Sequence, residues 1–231
     1  MTVDGFIAFL GDSSSGFSKL LIKGINAPGN ENLVYLCGIT GIHMSNNAVM
    51  GTSSFGNCNL LKFVTILNNN VHTAIPHYTV KDCLNLKFIV IPSGITDIGY
   101  AAFMSTALTN ISIPKGVTNI YDYAFRACNI LKSIILPEGI TRIESALCYR
   151  CRSLAFAIIP DGVTYIGTYA FCECYSLHSI VIPSSVRTID GNAFVLCPFT
   201  YIVIPNGVED SAGAAFLQCY HLMYIDIPNS V

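Results

Sequence analysis

The stretches "IPKGVTNIYDYAFRAC" (residues 113–128) and "IPDGVTYIGTYAFCEC" (residues 159–174) carry one pattern twice, 46 residues apart. A more divergent copy, beginning at Leu136-Pro137, lies between them and halves the spacing to 23 residues. A fixed period of about 20–50 residues is the sequence signature of stacked repeat architectures. We therefore expect a solenoid in which each coil packs on the next.

Three landmarks keep the same phase along the chain. Proline follows Ile, or once Leu, at Pro92, Pro114, Pro137, Pro160, Pro183, Pro205 and Pro228. Cysteine recurs at Cys58, Cys83, Cys128, Cys151, Cys174, Cys197 and Cys219, with Thr106 in the same place. Phenylalanine after alanine recurs at Phe103, Phe125, Phe171, Phe194 and Phe216, with Leu147-Cys148 as the substitute in one coil. Residues of equal phase should stack as columns, because each coil buries its apolar side against its neighbours.

Each repeat predicts two short strands and one tight turn. In Leu177–Ile182 the apolar residues alternate near the end, which is typical of a strand. The proline that follows ends the strand, because it has no N–H to donate to a ladder. Val-Thr-x-Ile predicts a second extended piece, and Tyr-Ala-Phe predicts one helical turn.

This pattern resembles the leucine-rich-repeat family, specifically its BspA-like variant with repeats of about 23 residues. The resemblance implies a repeat solenoid of the right-handed α/β kind, dominated by short parallel β-strands with short helical turns. It holds well over residues 58–231, except at 67–80, and poorly over 31–57. We expect residues 1–30 to form an irregular N-terminal cap and residues 31–231 a solenoid of about eight coils, the last one incomplete. The resemblance also implies protein recognition, including adhesion at surfaces.

The composition argues against several classes of function. Hydrophobic residues make up 52% of the chain and charged residues 11%, yet the apolar runs are short. A transmembrane helix needs about 20 consecutive apolar residues, so we predict no membrane span. The net charge of -2 without a basic stripe argues against nucleic acid as a partner. The N-terminus lacks the basic region of a secretion signal.

The ten cysteines invite a disulfide, metal or core interpretation. Most of them hold one repeat position where a small buried residue fits, so we expect reduced thiols in the core. Cys148, Cys151, Cys172 and Cys174 have a spacing that four zinc ligands can show, but their repeat phases differ, and we expect no metal and no other cofactor. Unpaired thiols favour the cytoplasm, with the cell surface as the alternative that the family resemblance implies.

The outward positions of the first strand predict an apolar surface on the concave side of the solenoid, since strand side chains alternate. The residues expected to bind protein are Phe63, Phe88, Val90, Ile135, Phe156, Ile158, Val181, Tyr201, Val203 and Tyr224. Strand propensity alone, or cover by residues 1–30, would also explain this composition. Exposed apolar patches mark interaction sites, and thirty residues are too few to cover eight coils, which favours binding.

We therefore predict a non-catalytic module that recognises a protein ligand through this concave face. No catalytic constellation is found among the few His and carboxylate residues, so no enzyme activity is expected. A structural subunit of a larger assembly and a surface adhesin are the alternatives. The final coil stops at "IDIPNSV", so we also expect contacts through residues 200–231, including association between copies of the chain.

Overall fold

A computed structural model of the chain describes residues 19–22, 40–44, 50–67, 73–211 and 213–229, of which 19–22 and 210–211 are described by their backbone. Most of the predicted N-terminal cap therefore lies outside the described residues. The strands in chain order are β1 (Lys19–Ile22), β2 (Gly41–Met44), β3 (Phe63–Ile66), β4 (Ala74–Ile75), β5 (Phe88–Val90), β6 (Asp97–Ile98), β7 (Asn119–Ile120), β8 (Ser133–Ile135), β9 (Arg142–Ile143), β10 (Phe156–Ile158), β11 (Tyr165–Ile166), β12 (Thr188–Ile189), β13 (Tyr201–Val203), β14 (Asp210–Ser211) and β15 (Tyr224–Asp226).

The first strand of each coil lies on one side of the solenoid. Parallel ladders join β1, β2, β3 and β5 into one sheet, β8 with β10, and β13 with β15. Phe63 pairs with Phe88 and Tyr201 with Tyr224, so equal phases are in register as the repeat predicts. The ladder is interrupted at residues 110–112 and 179–181, where the described backbone forms no strand.

The second strand of each coil builds another side. Parallel ladders join β4, β6 and β7 in one group and β9, β11, β12 and β14 in another. Each of these strands has only two residues, and in all of them except β14 the second residue is a buried isoleucine, such as Ile98 or Ile143. Between the two strand sets, the predicted proline turn closes when a later N–H donates to the proline carbonyl, for example Val163 N–H to Pro160 at 3.1 Å.

The third side of each coil corrects one detail of the prediction, because the expected helical turn around Ala-Phe is not helical in the described residues. Tyr123 and Ala127 both have left-handed backbone, with φ of 62° and 57°, and they bracket Phe125. The N–H groups of these three residues donate to the next coil, with Phe125 N–H meeting the Leu147 carbonyl at 3.0 Å. Backbone donors used between coils cannot form the i→i−4 bonds of a helix. The third side is therefore also held together by backbone hydrogen bonds between adjacent coils.

The core consists of the predicted columns. The leucines of the repeat, which lie two residues before the first-strand segment of each coil from Leu61 to Leu177, are fully buried. The phenylalanine rings stack face to face at intervals: Phe103 on Phe125 at 5.3 Å and Phe171 on Phe194 at 5.6 Å between centroids. Burial of these columns is the main favourable term in the folding of the solenoid, and it depends on contact between adjacent coils.

Candidate protein-binding face

The outward side chains of the first strand set form an exposed apolar surface. We call this surface, made of the residues Phe63, Phe88, Val90, Ile135, Phe156, Ile158, Val181, Tyr201, Val203 and Tyr224, the apolar face. All are exposed except Phe63, which is half-buried. Phe88 is 62% exposed and Val181 is 81% exposed. The register places several of them on neighbouring strands, Phe63 beside Phe88, Ile135 beside Ile158 and Tyr201 beside Tyr224, and their role in binding stays a prediction.

Phe63 differs from the others because of the coil before it. Gly41 is its partner in the β2–β3 register, and a Cβ on Gly41 would meet the Phe63 ring. The ring therefore lies over the glycine, with the His43 ring 5.4 Å away in an edge contact. Glycine here provides space for a neighbouring side chain, since its own side chain is absent.

The second strand set provides an internal comparison for the apolar face. Its outward residues are Ala74, Asp97, Asn119, Arg142, Tyr165 and Thr188 in the strands whose side chains are described, and most of them are polar. They interact across coils, with Asn119 Nδ2 donating to Asp97 Oδ1 at 2.8 Å and the Arg142 guanidinium 3.7 Å from the Tyr165 ring centroid. Both strand sets belong to the same coils, so strand propensity alone does not explain why one outward surface is mostly apolar and the other mostly polar.

A groove crosses the apolar face where the sheet is interrupted. It has a volume of about 620 Å³, and its outward lining includes Phe156, Ile158, Val181, Tyr201 and Val203. Residues 179–181 form no ladder with the strand on either side. The repeat pattern alone gave no sign of this groove, because residues 177–182 fit the strand pattern as well as the neighbouring coils do.

A row of lysines borders the apolar face. Lys62, Lys87 and Lys132 hold one repeat phase, just before the first outward residue of their strands, and all three are exposed. None forms an ion pair within the part of the chain that the structure describes. The row could have been read from the repeat phase, but only exposure shows that the charges stand next to the apolar surface.

The cysteine column lies inside the solenoid and has a polar role that the sequence did not indicate. The nine cysteines in the described residues are all buried, and none forms a disulfide there. The Cys151 thiol donates to the Phe125 carbonyl of the preceding coil at 3.1 Å, and Cys197 does the same to Phe171 at 3.2 Å. Because the thiol donates weakly, the column supplies packing together with a hydrogen bond between coils.

Burial also disfavours the thiolate form of cysteines in this column. It raises the pKa of Cys128 to about 12 and the pKa of Cys174 well above its ordinary value. The thiolate is the nucleophile and the metal ligand, so a thiol that stays protonated serves neither use. In the described residues, no group of three or more His, Cys, Asp or Glu side chains is arranged to hold a metal ion.

These features define a class of protein: a solenoid of short parallel strands with leucine, cysteine and phenylalanine columns and an exposed strand surface. The chain belongs to the BspA-type leucine-rich-repeat family. The family model, BspA type leucine rich repeat region, matches it in six copies over residues 48–171 and 141–231. The predicted family and solenoid fold are confirmed.

Solved structures show the same fold. A leucine-rich-repeat protein from Bacteroides ovatus is 25% identical, with a TM-score of 0.72, over 81% of this chain. The chain covers 55% of that protein's length. The leucine-rich-repeat protein of T. pallidum is 20% identical with a TM-score of 0.55, over 96% of this chain and 90% of its own. Among curated proteins, no relative matches this sequence. The structure has no helix of membrane-spanning length and apolarity within the described ranges.

Proposed function

We propose that this chain is a non-catalytic protein-recognition module that binds its partner through the apolar face. The observation that carries the proposal is the contrast between the two outward strand surfaces, one mostly apolar and aromatic, the other mostly polar and internally hydrogen-bonded. Exposed apolar patches of a few hundred Å² or more mark interaction sites, and aromatic residues are enriched in interface cores. Membership in the leucine-rich-repeat family supports a recognition role.

The row of lysines indicates which charges the partner should carry. Lys62, Lys87 and Lys132 stand beside the apolar face without an acidic partner in the described residues. Charges at the rim of an interface raise the association rate and select partners more than they add affinity. We expect the partner to present an apolar or aromatic patch with acidic side chains along one edge, and its association rate to fall as the salt concentration rises.

A recognition module and a structural subunit of a larger assembly differ in how they hold their partner. A recognition module exists free and binds reversibly, whereas a structural subunit remains with its partner through purification.

For residues 200–231, association between copies of the chain stays a prediction that sedimentation at several concentrations would test.

Photo-crosslinking tests the apolar face directly. A photoreactive phenylalanine at Val181, which is 81% exposed in the groove, should crosslink to one discrete partner. The same probe at Asn119, on the polar strand surface, should not give that product. Equal crosslinking from both positions would argue against the apolar face as the binding surface.

A double variant adds a quantitative check. Phe156→Ser with Tyr201→Ser should weaken binding of the captured partner while changing the free energy of unfolding by less than about 1 kcal/mol, because exposed side chains contribute little to folding. The matched control is Tyr121→Ser with Tyr220→Ser, which removes exposed aromatics from other parts of the solenoid. Loss of folding in the first variant would show that the apolar face is covered by another part of the chain.

The compartment is a separate part of the proposal. Free thiols favour the cytoplasm, but these thiols are buried and protected, so they are compatible with an oxidising compartment as well. The family therefore supports a cell-surface location, with adhesion as the form that recognition would take there. Labelling of intact cells of the native source with a membrane-impermeant amine reagent would decide, since Lys62, Lys87 and Lys132 are exposed.

A further inference from the structure

A second pocket lies on the third side of the coils, away from the apolar face. It has a volume of about 460 Å³ and is lined by Tyr123, Arg126, Ser145, Tyr149, Thr168 and Tyr169. These residues come from three successive coils. We call it the tyrosine–arginine pocket.

Arg126 is the unusual member of the tyrosine–arginine pocket. Its guanidinium carbon lies 5.5 Å from the Tyr123 ring centroid and 5.3 Å from that of Tyr149. Its Nε is buried and has no hydrogen-bond partner among the described residues. None of the ion pairs in those residues includes Arg126. Buried polar groups in proteins are nearly always hydrogen-bonded, so this unpaired donor requires an explanation.

The carboxylates near the pocket are engaged elsewhere. Glu173 accepts from Arg150 Nε at 3.1 Å and from the Tyr149 hydroxyl at 2.9 Å. Asp122 accepts from the Ser145 backbone N–H at 2.8 Å. The Arg126 charge therefore faces aromatic rings and a concave surface, and no carboxylate among the described residues is bonded to it.

We propose that the tyrosine–arginine pocket binds a small organic carboxylate. The planar guanidinium pairs with a carboxylate through parallel N–H···O bonds, and two flanking tyrosine rings hold its plane in place. The tyrosine rings of the pocket supply an apolar surface for the rest of the ligand, and the Ser145 hydroxyl supplies a hydrogen bond. The carboxylate can belong to a sugar acid or to an aromatic acid, which share this chemistry. This site is independent of the apolar face and of the function proposed for it.

Nuclear magnetic resonance of the arginine side chains tests the pocket. The Nε–H signal of Arg126 should shift and saturate when sodium glucuronate or sodium benzoate is added to the ¹⁵N-labelled protein. Neutral glucose should leave that signal unchanged. The acid that binds more tightly identifies the source as a sugar acid or an aromatic acid.

Two variants distinguish binding in the tyrosine–arginine pocket from nonspecific attraction of anions to the protein. Arg126→Gln should weaken binding roughly tenfold or more, because a hydrogen-bonded charged partner is lost. Arg152→Gln is the matched control, since the Arg152 guanidinium lies 6.0 Å from the Tyr175 ring and does not line the pocket. The proposal is overturned if neither acid gives a saturable shift, if glucose acts equally, or if both variants bind alike. The titration of the unmodified protein decides the matter even if Arg126→Gln fails to fold.

Discussion

The leucine column offers the sharpest test of how the coils hold together. Leu177 is fully buried between two coils. Leu177→Ala removes three carbons, each contributing about 0.8 kcal/mol through burial, or about 2.4 kcal/mol in all. The cavity left between coils that relax only partly adds to this loss, which brings the expected cost to about 2–5 kcal/mol.

Denaturant titration followed by circular dichroism would measure that loss. Leu222→Ala is the matched control, because Leu222 continues the same column in the last coil and is only half-buried, so its loss should be smaller. Lys132→Ala, at an exposed position, should change stability by no more than about 0.5 kcal/mol. If all three variants lost equal stability, the column would not be packed as described.

Two further predictions concern the cysteine column. Burial raises the pKa of Cys128 from 9.0 to about 12. The unfolded chain therefore releases the thiol proton at a lower pH than the folded chain does. Because of this difference, the free energy of unfolding should fall as the pH rises from about 9 to 12. Titrations at several pH values would show this slope, and an equally steep slope in Cys128→Ala would contradict the assignment. Thr106, whose hydroxyl donates to the Phe103 carbonyl at 2.9 Å, should be replaceable by cysteine with little change, whereas Thr106→Val should cost about 1 kcal/mol by thermal or chemical melting. A Thr106→Val variant as stable as the unmodified protein would show that the hydrogen bond contributes nothing.

Several features could not be predicted because they depend on contacts between particular coils. The prediction of a helical turn was wrong because the local sequence pattern does not show which carbonyls accept the backbone hydrogen bonds. Residues such as Phe125 donate their N–H to the next coil. The half-burial of Phe63 depends on its ring lying over Gly41. The tyrosine–arginine pocket was missed because repeat phase predicts which residues are neighbours in successive coils, but not whether their side chains leave a concave space between them.

What the sequence determined by itself was the repeat, the parallel stacking and the inward and outward phases. Coils of nearly constant length stack in register, so equal phase becomes spatial adjacency, and the alternation of strand side chains then separates the core columns from the apolar face. Only the tertiary structure decided where the sheet is interrupted, which carbonyls accept from the cysteines, and that Arg126 has no acidic partner among the described residues. These features depend on interatomic distances of a few ångströms, which the repeat period does not contain.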